Sequence, residues 1–136
     1  MNIEIGTTSS AAITVCGSDL ASALSQTPED GFPPVLATAR MIGLMELAAS
    51  RALLPLLKAG ERSVGVTIDI SHTAATPIGA LVTAEAKFIG MDGKLYLFEI
   101  TARDPGGEVG RGTHKRAIVS SERLLAGACK RCDTPA

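Results

Sequence analysis

The sequence predicts an α+β domain in which a curved antiparallel sheet wraps around one long central helix. Three observations carry that expectation. The segment from Thr38 to Leu57 is dominated by Ala, Leu and Met, all strong helix formers. After Gly60 the apolar period switches to two and holds through successive runs as far as Ser120. Short turns join those runs, which makes neighbouring strands antiparallel. A helix that is apolar nearly all round needs wide cover, and a bent sheet supplies it. The 136 residues fit one domain, residues 1–136, with no repeat and no second unit.

The elements follow in order. Residues 2–17 alternate loosely and are rich in Ile, Thr and Val, so a strand or short hairpin is expected there. Ser18-Asp19 opens a short helical turn. Residues 25–34, SQTPEDGFPP, form a loop by their prolines, glycine and acids. The long helix ends at Lys58-Ala59-Gly60, a basic residue followed by a glycine stop, and Pro55 bends its last turn. Gly43 would let a backbone or ligand approach the helix. In the run 63–74, Val64, Val66, Ile68, Ile70, His72 and Ala74 share one face, with Ser63, Gly65, Thr67 and Asp69 on the other. Strands 81–89, 94–103 and 108–120 follow, separated by Met91-Asp92-Gly93 and Asp104-Pro105-Gly106-Gly107. The first of these buries Val82, Ala84, Ala86 and Phe88, and the second carries Tyr96, Phe98, Ile100 and Ala102 on one side. From Ser121 on, at most a short helix and then a flexible tail (121–136) are expected.

Composition narrows the function. With 13 basic and 14 acidic residues there is no basic field for nucleic acid, and 3% aromatics give no base-stacking platform. No apolar run reaches membrane-spanning length, and MNIEIGTTSS lacks the basic and apolar regions of a signal peptide, so a cytoplasmic protein is expected. The three cysteines are Cys16, Cys129 and Cys132. Cys129 and Cys132 have CxxC spacing but no second pair to complete a zinc site, so no metal is expected.

Glu46 stands out. It lies among Ile42, Leu44, Met45, Leu47 and Leu53, where a carboxylate is expensive to bury unless something pairs with it or uses it. Thr38 is upstream on the same helix, and His72 lies on the apolar face of the following strand. A hydroxyl, a carboxylate and an imidazole directed at one core make a candidate active site. Each also has a plainer reading: Thr38 as a helix cap, His72 as a satisfied core histidine, Glu46 as the partner of Arg51 or Arg116 across a dimer interface. Lys115 and Arg116 suit contacts to acid or phosphate groups, or a solvated strand end. His114 has no evident partner in the sequence.

The blocks FPPVLATARMIGLMELAASRAL, SVGVTIDISHTAATP and GRGTHKRAIV resemble the fluoroacetyl-CoA thioesterase group of hotdog-fold proteins over about residues 30–120. The resemblance implies the hotdog fold, hydrolysis of a small acyl-CoA to free acid and CoA, and no cofactor beyond the CoA of the substrate. It implies a homodimer with sites at the subunit interface. It maps the catalytic threonine, glutamate and histidine onto Thr38, Glu46 and His72. The acyl-pocket glycine falls on Gly65, the arginine near the acyl group on Arg116 and the gating phenylalanine on Phe32. The group's pattern is more aromatic just after the threonine and the glutamate, where this chain has Arg40 and Leu47.

Gly65 and His72 are an odd number of residues apart. They line one pocket only if a β-bulge or bend intervenes, or if Gly65 acts through its backbone. Two catalytic schemes stay open: attack by Glu46, directly or through water, with His72 moving protons, or attack by Thr38 Oγ with His72 as base. Backbone N–H groups near Thr38–Arg40 are candidates for the oxyanion. The competing readings are a non-catalytic acyl-CoA-binding module and a hotdog dehydratase or hydratase.

Overall fold

The computed structural model describes residues 2–135. Its chain order is β1 (Thr8–Thr14), α1 (Thr38–Leu53), β2 (Glu61–His72), β3 (Leu81–Asp92), β4 (Leu95–Asp104), β5 (Gly107–Ser120) and α2 (Ser121–Cys132), with short 3-10 turns between β1 and α1 and after α1. The five strands form one antiparallel sheet in the order β1-β3-β4-β5-β2. One helix lies across its concave face, as the sequence predicts. β2 is an edge strand although it follows α1 directly, because it pairs only with β5.

Alternation builds the core. Val82, Ala84, Ala86 and Phe88 of β3 and Phe98, Ile100 and Ala102 of β4 are buried against Met41, Leu44, Met45, Ala48, Ala49, Ala52 and Leu53 of α1. The alanines on both surfaces bring helix and sheet close together. Phe88 meets Phe98 edge-on with centroids 5.8 Å apart. At Gly110 on β5 a Cβ would lie 2.6 Å from Met41 Sδ, so glycine is needed for the first half of α1 to seat on the sheet.

α1 packs chiefly over β1 and β3 and only lightly on β2. Its β2 side is therefore less covered than an all-round apolar helix requires, and Leu47 is 42% exposed. The regular helix stops at Leu53, earlier than expected, because Pro55 turns the last residues into a 3-10 turn, Leu54–Leu56.

Two expectations are corrected. The face assignment of β2 fails in its first half: Gly65 pairs with Arg116 and Thr67 with Lys115, so Val66 is an extra residue in a β-bulge. Val66 is turned outward and 51% exposed, while Ser63 and Gly65 join Ile68, Ile70 and His72 on the helix side. The stretch from Ser121 is also helical through most of its length, a longer helix than expected there. Ser120 Oγ accepts from Arg123 N and caps a 12-residue helix ending at Cys132.

Candidate active site

The predicted site residues fall into two clusters on the α1–β2 side of the molecule. The first gathers Thr38, His72 and Phe32. Thr38 opens α1, yet its hydroxyl caps nothing: Ala37 is the N-cap residue, and the end of the helix has no side-chain cap bond. Thr38 Oγ1 instead lies 2.8 Å from His72 Nδ1. The pair sits in a cleft of about 420 Å³ lined also by Phe32, Pro33, Val35 and Ala74. His72 Nε2 is buried without a hydrogen-bond partner among the described residues. The simple core-histidine reading leaves that nitrogen unexplained, because buried polar atoms are rarely left unpaired.

The first turn of α1 is positioned by the chain before it. Ala37 N donates to Asp19 O (2.9 Å), and Arg40 Nε donates to Asp19 Oδ1 (2.9 Å). Asp19 is buried, and the Cys16 N–H holds its carboxyl below the usual range, with Arg40 adding to the effect. Arg40 N bonds to Ala37 O, so it is withdrawn from the expected oxyanion donors. The N–H groups of Thr38 and Ala39 have no intrahelical acceptor and stay available.

The second cluster gathers Glu46, Gly65 and Arg116. Arg116 Nη1 donates to Glu46 Oε2 at 3.2 Å, Nε to Ser63 Oγ at 3.0 Å and Nη2 to Ser63 O at 2.9 Å. The solvated-strand-end reading of Arg116 is overturned, since its side chain is only 6% exposed. Lys115, on the other face, pairs with Asp92 at 2.6 Å. Glu46 is not deeply buried either: 43% of its side chain is exposed, in a shallow pocket of about 140 Å³ with Gly65, Val66, Thr67 and Ile68. A Cβ on Gly65 would lie 2.5 Å from Glu46 Oε2. The bulge at Val66 is therefore what puts Gly65 and His72 on one face, as their odd spacing requires.

Sequence reasoning missed His114 and Ser63. His114 is 1% exposed, with Nδ1 2.8 Å from Thr67 O and Nε2 3.1 Å from Arg116 Nη1. The signal was available: positions 114 and 116 are two apart on one strand and so share a face. Ser63 was hidden by the unlocated bulge.

Thr38 and Glu46 are eight residues apart on one helix, about 12 Å along its axis. The two clusters therefore lie apart within one chain.

Residues 18–122 match the family described as fluoroacetyl-CoA-specific thioesterase. The chain belongs to that family. The thioesterase is 44% identical over 95 residues to the fluoroacetyl-CoA thioesterase of Streptantibioticus cattleyicolor, which spans 70% of this chain and 68% of that protein. A solved structure of the fluoroacetyl-CoA thioesterase FlK is 36% identical with a TM-score of 0.90, covering 99% of this chain and 100% of the other. A phenylalanine-to-alanine variant of FlK solved with fluoroacetate and CoA is likewise 36% identical, with a TM-score of 0.84 over 90% of this chain and 99% of that one. A Thermus thermophilus protein of the thioesterase superfamily shares the fold at 24% identity and a TM-score of 0.84, over 97% of this chain and 95% of the other. The thioesterase thus has the hotdog fold, with the sheet and helix described above.

Proposed function

We propose that this thioesterase hydrolyses small acyl-CoA thioesters to the free acid and CoA, and that Thr38, His72 and Glu46 carry the chemistry. The observation that carries this reading is the 2.8 Å contact between Thr38 Oγ1 and His72 Nδ1 in the cleft beside Phe32. A CoA thiol titrates near a pKa of about 8.5 by analogy with cysteine, so its thiolate leaves without strong acid help. Hydrolysis then needs an attacking oxygen, a base and donors for the oxyanion. His72 Nδ1 is placed to take the proton of the Thr38 hydroxyl, and the N–H groups of Thr38 and Ala39 face the same end of the helix. Glu46 is the second base, activating the water that completes turnover. Phe32 closes the cleft over a short acyl group, while Gly65 leaves room beside the Glu46 carboxylate.

The working unit is a homodimer. Glu46 lies beside the open β2 edge, and the exposed Leu47 and Val66 flank it. A second copy paired along that edge would cover both residues and bring its Glu46 to the first copy's Thr38–His72 cleft. Fluoroacetyl-CoA belongs among the candidate small acyl substrates, and Arg40, drawn to Asp19, and Leu47 stand where the family pattern is more aromatic.

Thiol release from a panel of acyl-CoAs tests the reading. Acetyl-type substrates should turn over faster than octanoyl-CoA, and Glu46→Gln and His72→Ala should each lose roughly a hundred-fold or more in kcat. Faster turnover of the long chains would refute the small-acyl reading. Unchanged kcat in both variants would remove these residues from the mechanism. Binding without turnover of any substrate would indicate an acyl-CoA-binding module.

A further inference from the structure

His114 is buried, ionisable and unused by the mechanism above. Its surroundings fix its chemistry. Nδ1 lies 2.8 Å from the carbonyl oxygen of Thr67, which can only accept, so Nδ1 carries the hydrogen. Nε2 lies 3.1 Å from Arg116 Nη1, which can only donate, so Nε2 presents its lone pair. Both neighbours select the same neutral tautomer. Burial also pushes the His114 pKa down, and the adjacent guanidinium pushes it the same way, against the weaker opposing pull of the Thr67 carbonyl and Glu46. Arg116 beside it on β5 and Glu46 from α1 are the charged groups that bear on the ring.

The consequence falls on Arg116. Ser63 takes its Nε and Nη2 hydrogens through Oγ and the backbone oxygen. Nη1 has two hydrogens. One goes to His114 Nε2, and the planar fork then aims the other at Glu46 Oε2, 3.2 Å away. An apolar side chain at position 114 would leave a buried guanidinium hydrogen unpaired and free the fork to turn. The Thr67 carbonyl that orients His114 comes from the bulge that places Gly65 beside Glu46.

We propose that His114 is a positioning residue for thioester hydrolysis: as a fixed neutral acceptor it locks Arg116 in the orientation that holds the Glu46 carboxylate beside Gly65. It touches no substrate and exchanges no proton in the cycle. This inference rests on the reading that Glu46 acts in catalysis.

Two substitutions separate its two bonds. His114→Asn places an amide N–H where Nδ1 was, keeping the bond to Thr67 but losing the acceptor for Arg116. His114→Gln carries an amide oxygen out to the Nε2 position and restores that acceptor. With acetyl-CoA as probe, Asn should lower kcat about ten- to a hundred-fold, leaving KM within about two-fold, and Gln should recover most of the loss. In the wild-type protein, nitrogen NMR of the imidazole at about pH 7.5 should show Nδ1 protonated and Nε2 bare. An imidazolium or the opposite tautomer at that pH would overturn the proposal even if neither variant folds. So would wild-type kcat in the Asn variant, or losses that follow melting temperature rather than the choice between Asn and Gln. Glu46→Gln measured alongside keeps the two readings apart: full activity there would refute the role of Glu46, whatever the His114 variants do.

Discussion

A hydrogen atom in place of a side chain is what Gly65 contributes. Its Cβ would lie 2.5 Å from Glu46 Oε2, closer than real Cβ contacts come, and 3.1 Å from His114 Cε1, a tight contact. Gly65→Ala should therefore push the carboxylate off Arg116, lowering kcat more than ten-fold while destabilising the fold by about 1–3 kcal/mol, as overpacking usually does. Steady-state kinetics and a thermal melt on the same sample check both parts. Asp19 offers a pH-dependent test. Its folded-state pKa is depressed, first by the Cys16 N–H, so its contribution is fully present above the unfolded value of about 3.9 and is lost as pH falls through the folded value. Asp19→Asn should lower the melting temperature at pH 7, and the gap to wild type should close as the pH drops below about 4. At this scale the sequence was readable where a residue clashed with its surroundings, as Glu46 did among its apolar neighbours. It was silent where the partner came from a distant strand: nothing local ties His114 to Thr67, and the pairing of Arg40 with Asp19 depends on how the preceding loop folds back.

Among the elements, β2 shows what pattern alone reveals. Its existence follows from alternation, its polarity holds only from Ile68 onward, and β3 and β4 bury the faces the sequence predicts. The odd spacing of Gly65 and His72 signalled an irregularity without locating it. A bulge residue has no chemical signature of its own, and Val66 fits the alternation as well as its neighbours do. Because Gly65 and Thr67 pair with consecutive residues of β5, deleting Val66 should leave a regular ladder with both flanking registers intact. The expected result is a protein with unchanged circular dichroism and sharply reduced turnover, because the Thr67 carbonyl would no longer be directed at His114. A shift of register, seen as loss of the β2–β5 amide contacts by NMR, would contradict this. α2 was under-read for a different reason. It touches the rest of the molecule mainly through β5, so its sequence carries a cap and helix formers but little burial pattern.

On the scale of the whole molecule, the distance between the Thr38–His72 pair and Glu46 is the feature to test. If Thr38 and His72 of one protomer work with Glu46 of the other, mixing inactive His72→Ala and Glu46→Gln proteins should restore activity. Each mixed dimer would hold one intact site and one doubly defective site, so random exchange predicts roughly a quarter of wild-type turnover. No recovery after subunit exchange, confirmed by mass spectrometry, would place all three residues in a single chain's site. The overall architecture was legible because each layer is locally encoded, by one apolar helix and four alternating strands. How two copies meet is not, since an exposed edge is a property of strand order and only the folded topology puts β2 outermost.

That outermost strand has a practical side. An edge bearing unpaired amide and carbonyl groups beside an apolar Val66 is a template for any passing strand. The bulge twists it, which limits how far a foreign strand can extend along it. If the enzyme works as the proposed dimer, a protomer without its partner is the aggregation-prone form. Its shelf life should then worsen on dilution as well as on heating, with precipitation seeded by the very strand that shapes the pocket.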